Sequence, residues 1–226
     1  MKREEIRNRI QDIGIVAAIR VASKEDALFA AEAVFHGGVT TIEIAMTLDA
    51  APDVISHLVG RNSQLIVGAG GVSSTQKAQI CVDAGAQFVT SDGLHPAIVE
   101  FAAKKGIVVF PGALTPTEVI TAWESGCDFV KVVPCAQIGG ETYIRSLHAM
   151  YPQIPLMAAG GVNQQTAPEY IVAGAVALGI GRELIPLGAI RHREVERIGE
   201  LARRFVGFVK GVRQGRLPER EGGFLG

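Results

Sequence analysis

Apolar residues in this chain fall into short continuous runs separated by longer amphipathic stretches. The runs are GIVAAIR, GGVTTIEIA, QLIVGAG, AGAQFVTS, KGIVVFPG, SGCDFVKVV, PLMAAGG and AGAVALGIG. They are rich in aliphatic and β-branched residues and punctuated by glycine or proline, so they read as strands buried on both faces. In GGVTTIEIA, AGAQFVTS, KGIVVFPG, SGCDFVKVV and AGAVALGIG a glycine ends the preceding helix just before the strand begins, as a left-handed helix terminus requires. Start signals for helices lie between the runs: Ser23 with Asp26, Asp49 with Pro52, Ser74, His95 with Pro96, Thr115 with Pro116 and Glu118, Thr142, and Asn163. A short amphipathic helix carrying Ile6 and Ile10 precedes the first strand and is predicted to pack over one end of the domain. The last helix is predicted over about Arg193 to Arg213, followed by a loose polar tail over about 214–226.

Eight strands alternating with helices predict an α/β fold, a (β/α)8 TIM barrel, as a single domain over residues 1–226 with a short N-terminal helix. A doubly wound open sheet is the alternative, and the regularity of the repeating unit favours closure.

Composition narrows the function classes. Of 226 residues 48% are hydrophobic, and 22 basic residues face 23 acidic ones for a net charge of −1. With no long run of one sign, neither nucleic acid nor a membrane surface is expected as a partner. Cys81, Cys127 and Cys135 are odd in number and lack CxxC spacing, which speaks against a disulfide framework or a cysteine zinc site. The first residues, MKREEIRNRIQD, lack the apolar core of a signal peptide, and no apolar run is long enough to span a bilayer. A cytoplasmic protein is the expectation. The five histidines are scattered and no HExxH spacing occurs, so no metal is predicted; His95, in a strand-end loop, is a minor candidate for substrate contact.

One residue is out of place in this pattern. Lys131 sits within the apolar run DFVKVVPC, on the sixth strand. An amine taken out of water favours its neutral, nucleophilic form, which suits Schiff-base chemistry on a carbonyl. A lysine that snorkels to the rim, or a structural ion pair, is the plainer reading. Aligning the units on their helix-terminal glycines puts Glu43 five residues after Gly38 and Lys131 five after Gly126, hence at one level on strands two and six. A carboxylate and an amine then share the barrel mouth, where barrel enzymes do their chemistry. Two glycine-rich turns follow the last two strands: Gly160–Gly161–Val162–Asn163 and Gly179–Ile180–Gly181–Arg182. With Arg182 in one of them, they suit an anion such as phosphate. Arg20, ending the first strand, is either a carboxylate receptor or a solvated cation.

These stretches together resemble the 2-keto-3-deoxy-6-phosphogluconate (KDPG) and 4-hydroxy-2-oxoglutarate (KHG) aldolase family. AAIR, GGVTTIEIAMT, IVGAGGV, GAQFVTSDGL, FPGALTPTE, DFVKVVP and AAGGVN occur in the family's order over nearly the whole chain. The resemblance implies a class I aldolase acting on a small-molecule keto acid, with Lys131 as Schiff-base lysine and Glu43 as general acid/base. It also implies a homotrimer without metal or organic cofactor. The substrate shell departs from the form best known for the phosphogluconate substrate. Thr47 stands where many members have arginine, Gly71 where they have threonine, Asp92 replaces proline, Val133 phenylalanine, and Ala159 with Gly160 and Gly161 forms AAGG in place of PTGG. Arg182, after Gly181, takes the place of a phosphate-binding serine. Arg20 and Arg182 are therefore expected to supply the anion binding that Thr47 and Ala159 lack. Another phosphate-binding barrel, such as a sugar-phosphate epimerase or a thiamine-phosphate-synthase-like enzyme, and a non-catalytic barrel are the alternatives.

Overall fold

Strands and helices alternate along most of the described chain of this computed structural model, residues 1–216; from residue 217 the predicted loose tail lies outside the described residues. The order begins α1 (Arg3–Ile13), β1 (Ile15–Ile19), α2 (Lys24–His36), β2 (Thr41–Ala45), α3 (Ala51–Arg61), β3 (Ile66–Gly70) and α4 (Thr75–Asp83). It continues with β4 (Phe88–Thr90), α5 (Pro96–Lys105), β5 (Val108–Phe110), β6 (Gly112–Ala113), α6 (Pro116–Glu124) and β7 (Val130–Val132). α7 (Gly140–Met150), β8 (Leu156–Ala159), α8 (Ala167–Val172), β9 (Ala177–Ile180), α9 (Leu187–Arg191) and α10 (Val195–Arg213) complete it.

All pairings are parallel, in the order β5-β4-β3-β2-β1-β9-β8-β7-β6. The two segments at the ends of that order are halves of one barrel strand, interrupted at Pro111. Its first half pairs with β4 and its second with β7, where Gly112 stands opposite Lys131. Proline has no N–H to give the ladder, yet its carbonyl still accepts from the Lys131 N–H at 2.9 Å. The eight predicted strands are thus present, the fifth drawn as two, and the sheet closes.

Local signals explain most boundaries. The Ser23 and Ser74 hydroxyls accept from the N–H of Asp26 and Lys77, and Thr115 with Glu118 forms a complete capping box. Two start signals were misplaced. α7 begins at Gly140 rather than Thr142, and α8 at Ala167 rather than Asn163. The Asn163 side chain instead accepts from the N–H groups of Gln165 and Thr166, which makes a turn before the helix. The short α9 went unpredicted, and α10 starts at Val195.

Two apolar clusters fill the molecule. The larger lies between the strands and the outer helices, and the smaller fills the barrel. Inside, Phe110 stacks on Phe129 at 4.5 Å between ring centroids and meets Phe88 edge-on at 5.7 Å. Ile6 and Ile10 of α1 belong to the same cluster and close the lower end. Arg3 holds that plug in place, donating from Nε and Nη2 to the Asp128 carboxylate at 3.0 and 2.9 Å, while Asp128 Oδ2 also accepts from the Val109 N–H.

Candidate active site

Side chains two apart on a strand point the same way. Phe88 and Phe129 lie inside the barrel, so Thr90 and Lys131, two residues on, face the same interior one layer higher. Glu43, Thr90, Lys131 and Gly179 each stand five residues after a positive-φ glycine, namely Gly38, Gly85, Gly126 and Gly174. They come from the second, fourth, sixth and eighth barrel strands, the alternation that builds one interior layer. Three of these positions carry polar side chains, and the fourth has none.

Lys131 and Glu43 are each only 3% exposed. Lys131 Nζ donates to Thr90 Oγ1 at 3.4 Å, and Thr90 Oγ1 donates to Glu43 Oε2 at 2.9 Å. The amine and the buried carboxylate therefore communicate through a threonine hydroxyl. Lys131 Nζ also donates to Asp92 Oδ1 at 2.7 Å, and the Asp92 side chain is 59% exposed. Burial works against the charge on Asp92, but its hydrogen bond to Lys131, the Lys131 charge and, further off, Arg20 outweigh it and hold the carboxyl below the usual range. Glu43 lies flat across Gly70: a Cβ there would stand 2.0 Å from Glu43 Oε1.

Above this layer opens a cavity of about 370 Å³, within the usual range for small-molecule sites. Arg20, Glu43, Lys131, Val133, Ala159, Gly160, Gly161, Gly181 and Arg182 all line it, with Ala18, Met157, Val162, Gly179 and Glu183. Gly160 and Gly161 have φ of 84° and 87° and approach Pro134 and Ala136 so closely that added Cβ atoms would stand 2.9 and 2.4 Å from them. Only glycine satisfies both conditions.

Three predicted substrate-shell residues are absent from this lining. Thr47 sits in the turn after β2 and is exposed, Gly71 lies beside Asp92 outside the cavity wall, and Asp92 reaches the site only through Lys131. His95 is the exposed cap residue of α5 and does not enter either. Sequence reasoning missed Thr90, although the glycine register that found Glu43 and Lys131 also selects it. It missed Glu183 and Met157 as well, for which the strand pattern carries no polar signal. Among the described residues no group of three or more His, Cys, Asp or Glu side chains could hold a metal ion, and no helix is long and apolar enough to cross a membrane.

A closed parallel barrel with a concave, charged pocket at the carboxyl ends of its strands defines an enzyme of the barrel class. The model of the KDPG and KHG aldolases matches residues 6–201. The 2-dehydro-3-deoxy-phosphogluconate aldolase of Haemophilus influenzae is 27% identical over 208 residues, 92% of this chain and 98% of its own. The 2-dehydro-3-deoxy-6-phosphogalactonate aldolase of Escherichia coli is 29% identical over 194 residues, 85% of this chain and 92% of its own. Among solved structures, a KDPG aldolase from Legionella pneumophila, with pyruvate captured as a covalent carbinolamine intermediate, superposes with a TM-score of 0.78 at 27% identity. It covers 84% of this chain and 92% of its own. This chain belongs to the KDPG and KHG aldolase family and is a carbon–carbon lyase.

Proposed function

We propose that this chain cleaves a 2-keto-3-deoxy sugar acid, phosphorylated or not, or 4-hydroxy-2-oxoglutarate, to pyruvate and an aldehyde. In this reading Lys131 is the Schiff-base nucleophile and Glu43 the general acid/base. The observation that carries it is the buried relay from Lys131 through Thr90 to Glu43, set at the floor of the cavity.

Lys131 Nζ, once neutral, attacks the C2 carbonyl, and the proton it sheds and the water that leaves are handled by Glu43 through the Thr90 hydroxyl. The resulting iminium is an electron sink. A base takes the proton from the C4 hydroxyl, the C3–C4 bond breaks, and its electron pair passes into the iminium to leave an enamine and the aldehyde. Protonation at C3 and hydrolysis then release pyruvate and restore the amine. Arg20 and Arg182 hold the substrate's anionic ends, supported by their position on the cavity wall and by the backbone N–H groups of the glycine turns beside them. The same reading makes the enzyme a homotrimer in the cytoplasm: the trimer rests on the family resemblance alone, and the three free thiols suit a reducing compartment.

The test is pyruvate release from a panel of phosphorylated and unphosphorylated 2-keto-3-deoxy acids and 4-hydroxy-2-oxoglutarate. Wild type should turn over at least one of them and Lys131→Ala none. Unchanged kcat/KM in both Arg20→Ala and Arg182→Ala would remove the anion-binding roles.

A further inference from the structure

The two carboxylates around Lys131 are not equivalent. Glu43 is buried, hydrogen-bonded by Thr90 and laid across Gly70, so it has one place to be. Asp92 reaches the amine directly from the loop after β4, is mostly exposed, and has Gly71 at its side, where even an added Cβ would remain 3.9 Å from Oδ2. That leaves room for Asp92 to swing away. Accepting the reading of Lys131 as nucleophile, we infer that Asp92 is the resting counter-ion of Lys131, a positioning residue that holds the amine docked until a keto acid takes its place.

The charges facing Lys131 support this. Arg20 follows β1, Glu43 is on β2, Asp92 follows β4, and Arg182 and Glu183 follow β9. With Asp92 ionised, three cations counting Lys131 face three anions, and an entering keto-acid carboxylate meets no net attraction. A carboxylate that holds the amine must leave before a keto acid can take its place. Asp92, held ionised by Lys131 and Arg20, therefore competes with the entering keto-acid carboxylate for the amine.

Asp92→Asn removes the charge and keeps the shape. The experiment follows pyruvate adduct formation by intact mass, with cyanoborohydride reduction, over a pyruvate series. In Asp92→Asn half-saturating pyruvate should fall about threefold or more. Asp92→Glu, which keeps the charge, should stay near wild type. Coincident wild-type and Asp92→Asn profiles would overturn the inference, and so would slower trapping by Asp92→Asn at every pyruvate concentration, which would make Asp92 a proton acceptor. If Asp92→Asn fails to fold, Asp92→Ser is read in the same way. A wild type that forms no adduct would contradict the role of Lys131 itself, a different failure from unmoved profiles in a wild type that does trap.

Discussion

Thr90 Oγ1 stands 2.9 Å from Glu43 Oε2 and 3.4 Å from Lys131 Nζ, and so joins a carboxylate and an amine that make no direct ion pair. The bonds run one way, Lys131 donating to Thr90 and Thr90 to Glu43. Replacing Thr90 by valine keeps the volume and removes the relay. The expected result is a fall in kcat of about a hundredfold with little change in KM, the usual weight of a positioned proton-transfer group. Serine should recover most of the loss. Equal kcat for Thr90→Val and wild type would show that protons travel by another route.

Gly70→Ala tests the placement of Glu43 from the opposite side. The new methyl would stand 2.0 Å from Glu43 Oε1, so the carboxylate must move. Steady-state kinetics should show a loss concentrated in kcat, with Lys131 still able to form its adduct. Normal turnover would mean that Glu43 works from another position.

At the closed end of the barrel, Arg3→Ala should affect stability rather than chemistry. It strips Asp128, 8% exposed, of the side chain that holds α1 in place. The cost should be about 1–3 kcal/mol, for a Tm lower by about 2–4 °C per kcal/mol. Activity per folded molecule should stay at the wild-type level. A Tm equal to wild type would remove the clamp from the account.

Buried thiols give a pH signature. Burial pushes Cys81 up to about 11, and burial together with the Asp128 charge pushes Cys127 up to about 12, from an ordinary 9.0. Thiols kept neutral in the folded state give stability that is intact below pH 9.0 and lost as pH rises through the folded values. Chemical denaturation should therefore show stability falling above about pH 9, by less in Cys127→Ala. Native enzyme should resist thiol reagents at neutral pH, with all three cysteines reacting after unfolding.

Most of the fold was legible because one device repeats: a glycine with positive φ ends a helix and a buried strand follows. That register located Glu43 and Lys131 at one level, and it also selects Thr90, which was overlooked because a threonine in a strand looks ordinary. The run KGIVVFPG was read as one strand, and neither its split at Pro111 nor the service of that carbonyl to Lys131 follows without the closed sheet. Asp92 reaches Lys131 from a loop, and loop reach does not follow from strand spacing. For the same reason Thr47 and Gly71, sited by their motif positions, fall outside the cavity wall. The Asn163 signal was a true cap signal spent on a turn, three residues too early for the helix it precedes.

The most direct measurement is the intact mass of the protein after pyruvate and borohydride, beside Lys131→Ala. Wild type should carry one reduced pyruvyl group and the variant none. An unmodified wild type, or an adduct that persists in Lys131→Ala, would contradict the role of Lys131 as the Schiff-base nucleophile.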